Sequence, residues 1–282
     1  VVQGSQPLFL RTASLTLINL RTAQRLDIQK LRFTFSFERS VESTPNQGKL
    51  QIYNLSERSR NFCNIPPEAK GAPTRKGLFV ELQAGYQGLV RTILTGNATG
   101  GSEYLAPDWV TNLEILDGEA ALRQSTFQRS YPAGFSVNRI IQDVVQSFGL
   151  PVGYVKPVIT ADVVSFGQTF NTSNRKVLDD FAAKYKFRWN VQNGAINLFD
   201  RDTGLLQPAV QLTPRTGLIG SPIRTDKGIN FKCLLIPLIV PGGKVRLEQN
   251  TVYTGELLVQ KIVYTGDTHG SDWTLDVEAT II

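Results

Sequence analysis

Histidine occurs once in 282 residues, cysteine twice and methionine not at all. That scarcity removes whole classes of chemistry. A structural zinc site needs clustered Cys and His ligands, and there is no CxxC pair or Cys/His cluster to supply them. Cys63 sits in a polar segment and Cys233 in the apolar Phe231-Lys232-Cys233-Leu234. Two cysteines fit a reducing compartment, with a single bridge between them left open. Long apolar runs are missing as well. The strongest, from Leu234 to Val240, is short and contains Pro237, so no membrane anchor is expected. The N-terminus lacks the charged-then-apolar order of a signal peptide. It starts at Val1, so its first residues are expected either to have been removed or to be missing from the sequence. Blocks of like charge are absent too. Lys and Arg number 30 against 24 Asp and Glu, giving +6 and a pI near 9.3, but they are scattered. A dedicated basic face for sequence-specific nucleic-acid binding is therefore not expected.

What is present reads as a folded β protein, with 41% hydrophobic and 19% charged residues. A pattern in the first half returns, compressed, near the end. Leu89 to Gly96 leads through a loop to Asp108-Trp109 and then alternates Thr111, Leu113, Ile115. Val259 to Gly266 leads through a shorter loop to Asp272-Trp273 and then alternates Leu275, Val277, Ala279. Upstream, Val80-Glu81-Leu82-Gln83 matches Val245-Arg246-Leu247-Glu248. Two copies of one β module suggest a ring component, since three such chains would set six similar modules around an axis.

From Leu15 to Tyr131 the sequence predicts strands. Arg32 to Glu38 alternates without error, placing Phe33, Phe35 and Phe37 on one face. Lys49 to Leu55 is another strand, and Leu78 to Ala84 with Leu89 to Thr95 forms a hairpin. Near Pro132 the period changes. Ser136 is placed to cap a helix whose stripe is Val137, Ile140, Ile141, Val144, Val145 and Phe148, stopped by Gly149 and Pro151. A second helix spans Ser173 to Tyr185. It leads into a hairpin at Asn193-Gly194, which sets Val191 opposite Ile196 and Trp189 opposite Leu198. After Thr213 to Pro222, Ile229 to Leu238 and Lys244 to Glu248 alternate around a Pro241-Gly242-Gly243 turn, and Glu256 to Thr265 with Asp272 to Ile281 completes the second module. The expected division is thus 1–131, a first β module; 132–201, a small α/β insert; and 202–282, a second β module. Neither module has enough helix to cover an open sheet, so each is expected to close into a small barrel. Trp109 and Trp273 are expected to anchor the two cores.

No enzyme signature emerges. Asp267-Thr268-His269-Gly270-Ser271-Asp272 holds Ser, His and Asp types, but neighbours on one tight turn do not align as nucleophile, base and orienter. Asp179 and Asp180 are adjacent on a helix and point about 100° apart, as a solvated face. Asp200 and Asp202 lack further cation ligands. Pro241-Gly242-Gly243-Lys244 lacks the remainder of a phosphate loop. Glycosylation-type triplets at Asn54, Asn97 and Asn171 have no meaning without secretion. The phenylalanines alternate as core residues do, unlike a nucleic-acid stacking platform. No catalytic, cofactor-binding or metal-ligating residue is assigned, and no cofactor is expected.

Tyr264-Thr265-Gly266-Asp267-Thr268-His269-Gly270-Ser271-Asp272-Trp273, Gly217-Leu218-Ile219-Gly220-Ser221-Pro222, Leu234-Leu235-Ile236-Pro237 and Ile52-Tyr53-Asn54-Leu55-Ser56 together resemble the phage tail baseplate hub family. These are the late-control-protein-D-like, tube-to-spike adaptors. The resemblance runs from about Leu31 onward. It implies a mainly β fold with two tail-tube-like β-barrel modules and a small α/β insert. It also implies a homotrimer forming a pseudo-hexameric ring, with the six-fold tail tube or a tube initiator on one face and the three-fold central spike on the other. Tape-measure protein and then DNA would occupy the lumen, and baseplate wedge proteins could bind outside. Assembly in the host cytoplasm into the virion tail follows. No lysozyme or peptidase segment is recognised, so wall hydrolysis would belong to a partner. No fused spike region is expected after Ile282, and a stand-alone hub is the expectation that follows. The competing readings are the base of a secretion-system or tailocin injector, a cell-wall hydrolase on a β scaffold, and a nucleic-acid-binding module. The Pro-bearing stretch from Ser56 to Gly77, with Arg58, Arg60, Lys70, Arg75 and Lys76, is expected either to contact a neighbouring subunit or to be a solvated connection.

Overall fold

The computed structural model describes residues 10–64, 77–155, 162–248 and 252–282. The first part holds β1 (Arg11–Asn19), β2 (Arg25–Ile28), β3 (Phe33–Ser40) and β4 (Asn46–Tyr53), then a short helix α1 (Glu57–Cys63). β5 (Leu78–Tyr86), β6 (Leu89–Leu105) and β7 (Asp108–Asp117) follow. The middle contains α2 (Glu119–Gln124), β8 (Thr126–Tyr131), α3 (Val137–Ser147), β9 (Val152–Val155), β10 (Gln168–Ser173), α4 (Asn174–Tyr185), β11 (Phe187–Gln192) and β12 (Ala195–Asp200). The last part is β13 (Val210–Leu212), β14 (Leu218–Thr225), β15 (Gly228–Leu234), β16 (Lys244–Leu247), β17 (Gly255–Asp267) and β18 (Trp273–Ile281).

Local patterning explains most of these elements. In β3 the three phenylalanines are buried while Ser36 and Glu38 are exposed, the period-two signature of a strand with one apolar face. In α3, Val137, Ile140, Ile141, Val144 and Val145 are buried along one stripe. Ser136 stands at its N-cap but makes no side-chain cap bond. Ser173 does cap α4, its hydroxyl accepting from the Lys176 N–H at 3.3 Å. Asn193 (φ 52°) and Gly194 (φ 71°) make the two-residue turn of β11 and β12, with Trp189 opposite Leu198 and Val191 opposite Ile196. Both positive φ values are what a type I′ turn demands.

Among the described residues the strand ladder does not close into barrels. It forms one large sheet in the order β14-β15-β18-β17-β3-β4-β7-β6-β5-β1-β2, with β13 and β16 attached beside the first half of β17. The reason lies at β3. It pairs with β4 on one side and with the second half of β17 on the other, from Ser40 opposite Lys261 to Thr34 opposite Asp267. The edge that closure of the first half would need is taken by the second half. Aromatic packing backs this seam: Phe37 stacks on Tyr264 at 4.4 Å, and Phe35 meets Trp273 edge-on at 5.6 Å. One buried cluster therefore runs from Leu15 to Ala279 across both halves. A second cluster, from Leu122 to Leu198, joins α3, α4 and the β11–β12 hairpin, and also takes in Phe127 and Tyr131 of β8.

Strand order repeats within the sheet. The route β3-β4-β7-β6-β5 is followed again by β14-β15-β18-β17-β16. Where the expected loop from Gly96 to Asp108 was read, β6 instead continues as strand to Leu105 and pairs with β7 to its end. β15 and β16 are not hairpin partners. β15 pairs with β14 and β18, and the Pro241-Gly242-Gly243 segment bonds β17 through Gly242 N–H to Val259 O at 2.8 Å. The stretch after Ser56 begins as α1, on which Arg58 and Arg60 lie; Lys70, Arg75, Lys76 and the prolines fall outside the described residues. Cys63, at the end of α1, is buried rather than in a polar loop, and burial pushes its thiol up to about 12. Cys233 is likewise buried and free.

The two tryptophans differ. Trp273 is 1% exposed within the core, as expected. Trp109 does not anchor a core: it is 39% exposed, beside Tyr104 and under the Arg60 guanidinium at 4.2 Å. The β6–β7 hairpin carries it past the end of the sheet core, where α1 gives only partial cover.

Candidate functional site

The hydrogen bonds of the His269 loop are those of a fastened turn. Arg32 forks onto the Asp267 carboxylate, donating from Nη2 at 2.8 Å and Nε at 3.3 Å. The same carboxylate accepts the His269 N–H at 2.9 Å. The Asp267 N–H closes the turn on Asp272 O at 2.7 Å. The histidine ring lies against Thr268, with Nδ1 3.0 Å from Oγ1. Burial pushes the Asp267 carboxyl upward, but the Arg32 guanidinium and the backbone donors of His269 and Gly270 outweigh it and hold it below its ordinary value. Asp267 thus serves the turn.

Asp179 and Asp180 do different work. Asp180 pairs with Lys176 one turn earlier at 3.3 Å. Asp179 accepts from Trp189 Nε1 at 2.8 Å and from Ser43 Oγ at 3.1 Å, tying α4 to the β3–β4 turn. Asp200 accepts the Asp202 and Thr203 N–H groups at 2.9 Å, an ordinary Asx turn. Among the described residues no three His, Cys, Asp or Glu side chains gather to hold a metal ion.

A buried lock, not visible in the sequence, fixes the α/β part to the sheet. Asp117, at the end of β7, accepts the N–H groups of Asn193 (2.8 Å) and Gly194 (3.0 Å) and the amide of Asn46 (3.3 Å). Buried Arg39 on β3 donates to the Gln192 side chain and to Ile93 O (3.1 Å). Asn190 and Gln192 each donate to Ser40 O, at 3.2 and 3.0 Å. The β11–β12 turn is thereby seated on three strands.

A broad candidate surface is the polar face of the central sheet. Antiparallel register aligns its side chains into rows: Asn112, Gln51 and Thr34; Glu114, Lys49, Ser36, Thr265 and Thr274; Leu116, Gln47, Glu38, Val263, Asp276 and Lys232. The opposite side of the same strands supplies Phe35, Phe37, Leu50, Leu113, Tyr264 and Leu275 to the core. Two open grooves of about 620 and 650 Å³ run over the polar face. Carboxylates outnumber lysines there, Glu38, Glu103, Glu114, Asp276 and Glu278 against Lys49, Lys232 and Lys261, although the chain is +6 overall. Lys261 pairs with Glu38 at 2.8 Å and Lys232 with Asp276 at 3.7 Å. Such a face offers shallow hydrogen bonding and weak repulsion to polyanions; it has no deep apolar pocket to hold a small ligand. Period-two alternation reveals each strand's polar side in the sequence, but the rows arise from pairings far apart in the chain.

Comparison with known proteins completes the description. A search of curated proteins finds no match. The sequence profile of the family described as Baseplate hub gp41 matches residues 14–279. Among solved structures, the chain is similar to the 43 kDa tail protein of prophage MuSo2 from Shewanella oneidensis, with a TM-score of 0.63 and 10% identity over 96% of both chains. It is also similar to the tail protein from Neisseria meningitidis MC58, with a TM-score of 0.61 and 7% identity over 97% of both chains. The E. coli c3393 protein, a component of the type VI secretion system similar in structure to T4 bacteriophage tail proteins gp27 and gp5, gives 0.57 and 14%. That match covers 89% of this chain and 73% of that one. At such identities the likeness is one of fold.

Proposed function

The chain belongs to the baseplate hub gp41 family, and from that premise we propose that three copies form a ring joining the tail tube to the central spike. Family and fold together make it a structural component of the phage tail baseplate. The observation that carries the finer reading is the repeated strand route, β3-β4-β7-β6-β5 and β14-β15-β18-β17-β16. Two related units per chain, in three copies, reconcile a six-fold neighbour with a three-fold one under closed symmetry. The two halves of the sheet are the tube-like modules, and the α/β part is an insert on the ring. Its buried cluster already includes Leu122, Phe127 and Tyr131, so we place its start near 119 rather than 132.

In this ring the polar face lines the lumen. Its excess of carboxylates supports passage: a surface that repels phosphates weakly lets DNA travel without being held, whereas a basic lining would bind it. Tape-measure protein would occupy the lumen first. The tube or its initiator meets one rim, the spike the other, and wedge proteins have the outward insert available.

Immunogold labelling of intact tails tests the placement. Antibody raised against this chain marks only the end of the tail remote from the head; label along the whole tube would refute the assignment. A second reading, the base of a tailocin or secretion-system injector, is favoured by the fold shared with c3393. Label at the tip of headless particles alone would select it.

A further inference from the structure

A crevice of about 200 Å³ opens where the insert meets the sheet. One wall is the β3–β4 turn, Val41 to Ser43. The other is α4, through Ala182 and Ala183, together with Arg188 on β11 and Arg201 just past β12. The Arg201 N–H donates to Lys186 O at 3.3 Å, which holds its residue beside the start of β11.

Both arginines have donors to spare. Arg188 is half-buried, and among the described residues its guanidinium is engaged only through Nη1, on Gln260 Oε1 at 2.6 Å. Arg201 is exposed, and among the described residues its guanidinium has neither an ion pair nor a hydrogen bond. The carboxylates close by do not fill these places. Asp179 is committed to Trp189 Nε1 and Ser43 Oγ, at 2.8 and 3.1 Å, and lies 3.6 Å from Arg175. Glu42 is exposed on the rim, and it and Asp202 act on Arg188 through charge alone. Burial lowers the Arg188 pKa from its ordinary value, and the like charge of Arg201 adds to that against Glu42 and Asp202.

Two guanidinium groups with unused donors beside a partly apolar hollow suit an oxyanion, and their fork geometry matches a planar carboxylate. The surroundings narrow the choice. Glu42 and Asp202 repel a doubly charged phosphate more than a singly charged carboxylate. Val41, Ala182 and Ala183 give an apolar wall to a short aliphatic stem, and the volume admits only a small group. We propose that this crevice binds the carboxylate of a short aliphatic acid or of a chain terminus, with Arg188 and Arg201 as its donors. Bound there, the group touches the β3–β4 turn and α4 together and so staples the insert to the sheet. The crevice lies within one chain and does not depend on the ring.

Trp189 lines the same crevice and is 2% exposed, so its emission reads occupancy. Tryptophan fluorescence of the full chain is followed at neutral pH and fixed ionic strength while sodium propionate replaces sodium chloride. A saturable change is expected, half-complete at about 1–10 mM. Arg201→Gln, at an exposed position, should raise that midpoint by about tenfold or more, as should Arg188→Gln. Ala183→Leu keeps both charges, sits at an exposed position on α4 and fills the hollow, so it should abolish the change. An acetylated alanine dipeptide with a free carboxylate separates the two sources. Tighter binding than propionate assigns a chain terminus; equal or weaker binding assigns a free acid. Four results would overturn the proposal: no saturable change with either probe, an unchanged midpoint in Arg201→Gln or Ala183→Leu, binding of the amidated dipeptide as tight as of the free one, or inorganic phosphate binding more tightly than propionate.

Discussion

Asp117→Ala removes the acceptor on which the β11–β12 turn is seated. Three donors converge on that carboxylate, the N–H groups of Asn193 and Gly194 and the amide of Asn46, and the site is buried. Asn46 keeps a second acceptor in Val191 O at 3.0 Å. The two turn N–H groups have no substitute, and a buried donor left unsatisfied costs about 1–3 kcal/mol. Burial pushes the Asp117 carboxyl upward, and the Gly194 N–H and the charge of nearby buried Arg39 oppose that push. Taken together, the two orphaned donors put the expected loss at about 2–6 kcal/mol. For a chain of 282 residues that lowers Tm by roughly 3–10 °C, read by calorimetry. Amide exchange at Asn193 and Gly194 should accelerate at the same time. Asp117→Asn, which keeps one acceptor oxygen, should lose about half as much. A loss below about 1 kcal/mol for the alanine variant would refute the idea that this carboxylate holds the insert in place.

Two further perturbations test other parts of the structure. Asp267 has its folded-state pKa held below the ordinary value, so its stabilising contribution is complete above the unfolded pKa and is lost as pH falls through the folded one. Asp267→Asn should flatten the acid limb of a Tm-against-pH curve, and its curve should meet that of the native protein at low pH; an unchanged acid limb refutes the assignment. Ile140→Ala empties a fully buried position between α3 and the insert core, so a loss of about 2–5 kcal/mol is expected in denaturant unfolding, and a near-zero loss would place α3 outside a packed core.

Elements governed by local signals were legible in the sequence. The Asn193-Gly194 turn, the three alternating phenylalanines of β3 and the apolar stripe of α3 each carry their geometry within a few residues. What the sequence hides is which edge meets which. β3 and β17 lie more than 220 positions apart, and nothing in either strand says that Phe37 stacks on Tyr264 instead of closing a barrel with its own half. The same holds for β15 and β16, which look like a hairpin across Pro241-Gly242-Gly243 but part to opposite sides of the β17–β18 pair. α1 is too short to show a helical period. Asp117 reads as the end of a strand before a glycine, because its partners come from a turn far along the chain. Trp109 and Trp273 occupy matching strand starts, and only the cover above each, Arg60 or Phe35, makes one exposed and the other core.

The particle formed by the purified chain tests the central idea most directly. Electron-microscopic images with a light-scattering mass should show an open annulus of three 31.2 kDa chains, with six similar lobes around the hole. A solid particle, an even number of subunits, or three lobes with no internal two-fold likeness would contradict it.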